Sequence, residues 1–288
     1  MSNKWILGAR PKTLPAAVLP VVLGTAAAST EKFSFLSASL CLIIALALQV
    51  GVNYANDYSD GVRGSDGPMR IGPTRLVGGD LARASQVLKA AMFMFFVAAL
   101  SGLYLSLLTT LWLIPIGLAC IFGAWFYTGG SNPYGYRALG ELSVFIFFGL
   151  IATNGSFFVQ LERISIQVFL LSCVAGLLSC ALLTVNNLRD YENDKKVGKR
   201  TLSVLMGEAA NRNLFTWMVI LSFFISLVLS FWHTWVFLVL AATPFVYRSI
   251  KIVYEANDAI SWNNALKVVS ILQISLGVLL TLGLLISS

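Results

Sequence analysis

Two short acidic stretches are where this sequence can do chemistry. The first reads Asn53-Tyr54-Ala55-Asn56-Asp57-Tyr58-Ser59-Asp60, and on a helix Asn53, Asn56, Asp57 and Asp60 fall at i, i+3, i+4 and i+7, one face. The second reads Asn186-Asn187-Leu188-Arg189-Asp190-Tyr191-Glu192-Asn193-Asp194, placing Asn186, Asp190 and Asp194 at i, i+4 and i+8. Both contain Asn-x-x-x-Asp-Tyr followed by another Asp. Carboxylates gathered at short range repel one another and resist desolvation, and a divalent cation removes that conflict. Oxygen ligands without His or Cys favour magnesium, which takes one or two carboxylates and completes its octahedron with water and phosphate oxygens. The candidate metal ligands are therefore Asn56, Asp57, Asp60, Asp190 and Asp194, with Asn53 and Asn186 beside them, and the implied partner is a phosphate or diphosphate.

Basic residues adjoin both stretches. Arg63, Arg70 and Arg75 follow the first; Lys195, Lys199 and Arg200 follow the second, placed to bind phosphate oxygens that a metal leaves free. The glycines of Gly61–Pro68 match neither GxGxxG nor GxxxxGK[ST]; they mark a loop able to close over substrate, with Asp66 a further partner for metal or Arg. A third polar segment runs from Tyr127 to Glu141. Its tyrosines suit a membrane interface, and Arg137 and Glu141 are expected to pair, one orienting the other towards an anionic substrate.

The elements that must hold these residues are membrane spans. Of 288 residues, 57% are hydrophobic and 11% charged, and the mean hydropathy is +0.80. A soluble shell needs about 25% charge, so a water-soluble fold is excluded. Apolar windows give nine candidate spans, at about 13–29, 34–58, 84–108, 110–128, 138–160, 164–189, 211–231, 234–250 and 264–286. The first is read as a span rather than a leader peptide because Pro15 and Pro20 interrupt it. The fold class is all-α polytopic, a single domain over residues 1–288. The motif helices lie four spans apart, so both motifs fall on one side, as in two related four-helix halves with a site between them.

Alternating spans place every Lys and Arg except Lys32 and Arg163 on the side of the amino terminus, which is therefore cytoplasmic, with the carboxyl terminus outside. That accounts for the net charge of +7 without nucleic acid. The acids other than Glu31 and Glu162 share that side, although acids contribute little to orientation, so their clustering has another cause. Cys41, Cys120, Cys173 and Cys180 all lie in apolar stretches with no CxxC, which argues against disulfides and zinc, and His233 reads as a turn residue.

A metal-bound diphosphate beside an apolar cavity suits an allylic prenyl diphosphate. Magnesium and Arg or Lys would stabilise charge on the departing diphosphate, and aromatic faces would shelter the allylic cation. The sequence resembles the UbiA superfamily of intramembrane aromatic prenyltransferases, and within it the 1,4-dihydroxy-2-naphthoate branch. The likeness runs from Ala9-Arg10-Pro11-Lys12-Thr13-Leu14-Pro15 through Asn53-x-x-Asn56-Asp57-x-x-Asp60, Gly72-Pro73-Thr74-Arg75-Leu76-Val77 and Tyr127-Thr128-Gly129-Gly130. It ends in Asn186-Asn187-x-Arg189-Asp190-x-x-x-Asp194-x-x-x-Gly198-Lys199-Arg200-Thr201-Leu202.

The resemblance implies nine helices around a central cavity, with both Asp-rich motifs binding Mg2+ and a polyprenyl diphosphate. It implies an aromatic acceptor, prenylated with loss of carbon dioxide to give demethylmenaquinone, in the cell membrane. Asp57, Asp60, Asp190 and Asp194 then carry catalysis. Asn53, Arg63, Arg70, Arg75, Tyr127, Arg137, Asn186, Lys195, Lys199 and Arg10 bind substrate, Arg10 with Lys12 at an acceptor carboxylate. Two departures stand out: Gly64 occupies the position of a further acid common in the superfamily, and Ser131 replaces a frequent proline. Other acceptors such as 4-hydroxybenzoate or homogentisate stay open, as does a different class, an ion-coupled transporter with paired acids as its ion sites.

Overall fold

The computed structural model describes residues 3–29, 31–65 and 74–287. Arg70, Asp66 and the Gly72-Pro73 pair lie outside the described residues. A short helix α1 (Lys4–Ala9) leads through Arg10 into α2 (Leu14–Ser29). There follow α3 (Phe35–Val62), α4 (Ala84–Leu108), α5 (Leu113–Phe126), α6 (Gly140–Leu161) and α7 (Ile166–Arg189). Two short helices, α8 (Tyr191–Lys196) and α9 (Leu202–Met206), precede α10 (Glu208–Phe231), α11 (Thr234–Glu255) and α12 (Ala259–Ile286).

Among the described residues eight helical segments are long and apolar enough to cross a membrane, α1 and α2 counting as one. The chain is a multi-pass membrane protein. The ninth span expected over 110–128 is α5, only 14 residues, or about 21 Å at 1.5 Å per residue against a hydrocarbon core of about 30 Å. The apolar window overstates it because Leu111 and Trp112 belong to the preceding turn. Large apolar side chains point outward, as on α10, where Trp217, Phe224 and Phe231 repeat every seven residues and are all exposed. In water such a surface is a liability; in lipid it is the solvent-facing one.

The motif helix α3 packs most extensively against the following α4, whereas α7 packs most extensively against the preceding α6 and next against α10. Small residues set one close crossing. A Cβ on Gly149 would stand 2.6 Å from Gly176 Cα and 2.8 Å from the Ser172 carbonyl oxygen, so α6 and α7 touch backbone to backbone. Around this contact α6 widens into a π-helical stretch over Phe145–Ile151, a departure often found beside functional sites. Gly149→Leu is expected to cost about 1–3 kcal/mol by overpacking this crossing, read as a lower melting temperature in detergent.

At one end of the bundle Ser34 N–H donates to the Gln160 side chain and Glu31 pairs with Arg163. At the other end α1 docks on α3, where Tyr54 Oη donates to the Trp5 carbonyl and Asn53 Nδ2 to the Ala9 carbonyl, both at 2.9 Å. The motifs end there too.

Candidate active site

The helices enclose a cavity of about 1560 Å³. Most of its wall is apolar, including Phe147, Phe148 and Ile151 of the widened stretch of α6 and Ile271 and Ile274 of α12. Its polar wall carries Asn56, Asp60, Arg75, Asn186, Asp190 and Lys199. A small adjoining cleft is lined by Asp60, Tyr136, Asp190, Asn193, Asp194 and Lys199, so acids from both motifs face one space.

On α3 the helix continues through the motif, as its spacing predicts, but the four side chains do different things. Asn56 Oδ1 accepts from the Thr128 hydroxyl at 2.6 Å, and Asp60 Oδ1 accepts from the Tyr136 hydroxyl at 2.6 Å. Asn53 reaches the cavity wall but directs its amide to the Ala9 carbonyl and the Thr13 hydroxyl. Asp57 does not line the cavity. It is fully buried, and its two oxygens accept the consecutive backbone N–H groups of Leu76 at 2.9 Å and Val77 at 3.1 Å. That clasp sits where the chain turns tightly, the Leu76 carbonyl accepting from both Leu81 and Ala82, and it fixes neighbouring Arg75 in the wall.

The second motif departs from the single continuous helix expected of it. α7 stops at Arg189, Asp190 takes φ −91° and ψ 4°, and α8 begins at Tyr191. Arg189, almost fully buried, grips Asp190 with two 2.8 Å hydrogen bonds from Nε and an Nη. This bidentate geometry holds the carboxylate at the break. Asp194 N–H donates to the Asp190 carbonyl at 2.8 Å and Lys199 N–H to the Asp194 carbonyl at 2.8 Å, wrapping the chain so that Lys199 Nζ lies 3.8 Å from Asp194 Oδ1.

The loop between α5 and α6 ties the motifs together through Tyr136. Its hydroxyl holds Asp60, its carbonyl accepts from Arg200 N–H at 3.1 Å, and the Arg63 guanidinium and Lys199 ammonium lie 5.5 Å and 5.2 Å from its ring centre. Burial first, then the Asp60 charge, raises the Tyr136 phenol well above the usual tyrosine range, so it remains a donor at any ordinary pH. Beside it Tyr134, pushed up to about 12 by burial, donates to the Gly123 carbonyl and packs edge-on against the Tyr127 ring. Tyr127 itself lines the cavity.

The basic residues divide. Arg75, Lys199 and Arg10 line the cavity. Arg63 instead donates to the carbonyls of Thr128 and Gly130, holding the loop. Lys195 is exposed over the Tyr191 ring, and neither it nor exposed Arg137 reaches the cavity. The expected Arg137–Glu141 pair is not formed: Glu141 is buried and accepts from Asn187 Nδ2 at 2.9 Å, while the Arg137 backbone forms an isolated parallel β-bridge with that of Arg200. Tyr136, Thr128 and Arg189 were not singled out from sequence as holders of the acids. For Arg189 the adjacency to Asp190 was a signal; for Tyr136 an interfacial tyrosine looks no different from a membrane-belt residue.

Among the described residues no three acids converge tightly enough to cage a bare ion. The donor set fits a hard cation that takes one or two protein oxygens and draws the rest from water and a phosphorylated substrate, which is how magnesium binds. Because Tyr136 orients Asp60 from behind, Tyr136→Phe is expected to lose about 10–100-fold in metal affinity or activity, measured as the magnesium dependence of turnover.

Residues 17–276 match the UbiA prenyltransferase family. The 1,4-dihydroxy-2-naphthoate octaprenyltransferase of Mycobacterium tuberculosis is 46% identical over 247 residues, covering 85% of this chain and 84% of that protein. The enzyme of the same name from Haemophilus influenzae is 34% identical over 297 residues, covering 98% and 96%. A UbiA homolog from Archaeoglobus fulgidus bound to GPP and Mg2+ superposes with a TM-score of 0.67 at 13% identity, covering 97% of this chain and 99% of that one. With two amide-and-acid motifs meeting at the polar wall of one apolar cavity, and with relatives this similar over most of its length, the chain belongs to the UbiA prenyltransferase family.

Proposed function

We propose that this protein transfers a polyprenyl group from an allylic prenyl diphosphate to 1,4-dihydroxy-2-naphthoate, with loss of carbon dioxide, giving demethylmenaquinone and diphosphate. The observation that carries the reading is the juxtaposition of the two motifs at the polar wall of a long apolar cavity: a diphosphate head fits one and an isoprenoid tail the other. The naphthoate acceptor rests on the relatives that bear that name.

Asn56, Asp60, Asp190 and Asp194 hold the magnesium-bound head group, each oriented from behind by Thr128, Tyr136, Arg189 and Lys199 respectively. Asp57 acts differently: it clasps the loop that presents Arg75. When bound, magnesium neutralises charge on the diphosphate as the allylic C–O bond breaks and its electron pair leaves with the diphosphate. Arg75 and Lys199 stabilise the same developing charge from the protein side. The Tyr127 ring faces the cavity where an allylic cation forms, and the apolar wall keeps water from capturing it. The motif ends, with α1 and the loops joining them, lie on the cytoplasmic side of the cell membrane, on the positive charge concentrated there. Acids at helix ends, rather than at mid-span, suit a head group at the interface better than transported ions.

Purified protein given Mg2+, a prenyl diphosphate and a panel of aromatic acids tests the reading, with products identified by mass. Prenylated, decarboxylated naphthoate is expected; a prenylated 4-hydroxybenzoate alone moves the acceptor assignment, and no diphosphate release with any acid overturns the chemistry.

A further inference from the structure

The cavity has further polar residues, on elements other than the two motif helices. Lys12, in the turn before α2, and Lys267 and Asn263, one turn apart on α12, all line it. The wall is built for this: α12 packs against both α2 and α7, and Gly277 of α12 sits against the Leu19 side chain of α2. From that contact, Lys267 lies ten residues, or about 15 Å, back towards the end at which α2 begins. That brings it to the level of Arg10–Lys12. The α12 face that carries Asn263 and Lys267 continues through Ser270, Ile271 and Ile274 into the apolar wall.

Positive residues at this end of the bundle are expected for topology alone, but most of them point elsewhere: Lys89, Lys195, Lys196 and Lys251 do not line the cavity. Lys195 and Lys251 are engaged with Tyr191 and Glu255. Lys12 and Lys267 do line it, and neither makes an ion pair with a described residue. Arg75 and Lys199 already serve the head group beside the motifs, so two further ammonium groups carried by the turn before α2 and by α12 suit a second anion bound directly. An aromatic carboxylate is such an anion: it carries one charge, needs no metal, and its flat apolar ring suits the adjoining α12 face.

We propose that Lys12 and Lys267, with Asn263 beside them, form the acceptor's carboxylate subsite, so that the acceptor is held between the first and last spans with its ring turned towards the diphosphate-bearing wall. This rests on the aromatic-acid acceptor proposed above. The same chemistry would also bind the phosphate of an anionic lipid at the interface, and the test separates the two.

Steady-state kinetics of Lys12→Ala, Lys267→Ala and the double variant are measured with 1,4-dihydroxy-2-naphthoate and with uncharged naphthalene-1,4-diol. The assays run in nanodiscs of phosphatidylcholine alone and of phosphatidylcholine with phosphatidylglycerol. Each single variant is expected to raise the naphthoate KM about tenfold, equivalent to about 1.4 kcal/mol, with the prenyl diphosphate KM and kcat changing less than about twofold. The double variant is expected to lose most of the preference for the acid over the diol. Lys267→Arg is expected to restore much of the naphthoate KM, and Lys89→Ala to leave every constant unchanged. An unchanged naphthoate KM in the variants overturns the subsite, as does an equal rise for acid and diol. A defect seen only in phosphatidylglycerol discs assigns the lysines to lipid and overturns it too. If the wild-type protein turns over no aromatic acid, the proposed acceptor class fails first and this subsite fails with it.

Discussion

Asp60→Ala is expected to lower kcat for diphosphate release by at least about 10²–10³-fold, the scale on which loss of one group stabilising transition-state charge is felt. The protein should stay folded, because Asp60 gives up a single hydrogen bond, from Tyr136, and no buried cation loses its partner. Asp190 should show the same loss of turnover with a different structural consequence. Its carboxylate balances the guanidinium of Arg189, whose side chain is only 4% exposed, and removing one partner of a buried pair costs about 3–5 kcal/mol. Asp190→Asn, which keeps an oxygen for Arg189, is therefore the cleaner variant. A coupled diphosphate assay together with a detergent melting curve reads both effects, and normal turnover in Asp60→Ala and Asp190→Asn would sink the proposed mechanism.

Asp57, adjacent to Asn56 and one turn from Asp60, is expected to behave in the opposite way. Its two hydrogen bonds to the Leu76 and Val77 amides are charge-assisted, and Asp57→Ala leaves one buried and one part-buried donor without an acceptor, a cost of about 1–3 kcal/mol for the buried one. The expected result is a marked fall in melting temperature. Turnover falls as Arg75 loses its mooring, but the magnesium concentration for half-maximal rate stays close to the wild-type value. A large shift in that concentration at an unchanged melting temperature would make Asp57 a ligand and end its assignment as a clasp. The contrast between neighbouring aspartates is the more informative experiment, because helical spacing alone assigns them the same role.

That contrast shows what the sequence could and could not reveal. Periodicity correctly put Asn53, Asn56, Asp57 and Asp60 on one broad face of α3, and hydropathy located the long helices. But a face of a helix at a crowded bundle end meets several neighbours at once: α1 takes Asn53, the 74–79 turn takes Asp57, and the cavity keeps Asn56 and Asp60. Which neighbour meets which residue is decided by tertiary packing. The break at Asp190 carried no Gly or Pro to announce it; it is stabilised by Arg189 and by the wrap of Lys199 around Asp194, contacts that exist only after folding. The shortness of α5 was hidden because apolar composition does not distinguish a helical residue from an apolar turn such as Leu111-Trp112. Lys267 was counted for topology and not for chemistry, since nothing local says that its helix face lines a cavity.

The strap through Tyr136 has a consequence for how the protein is made. Asp60 emerges from the ribosome 130 residues before Asp190 (190 − 60), which at about 5–20 residues per second is on the order of ten seconds. During that interval the first motif has neither Tyr136 nor the second motif beside it. With both motifs at the end of the bundle proposed above to be cytoplasmic, no motif carboxylate has to cross the bilayer while it waits. Asp60 can stay hydrated at the interface until the α5–α6 loop arrives to orient it and the end of α7 arrives to complete the pocket. The binding site is thus a late product of membrane insertion, assembled only when the fifth long helical segment has entered, and a chain truncated before Asp190 should insert stably yet bind no diphosphate.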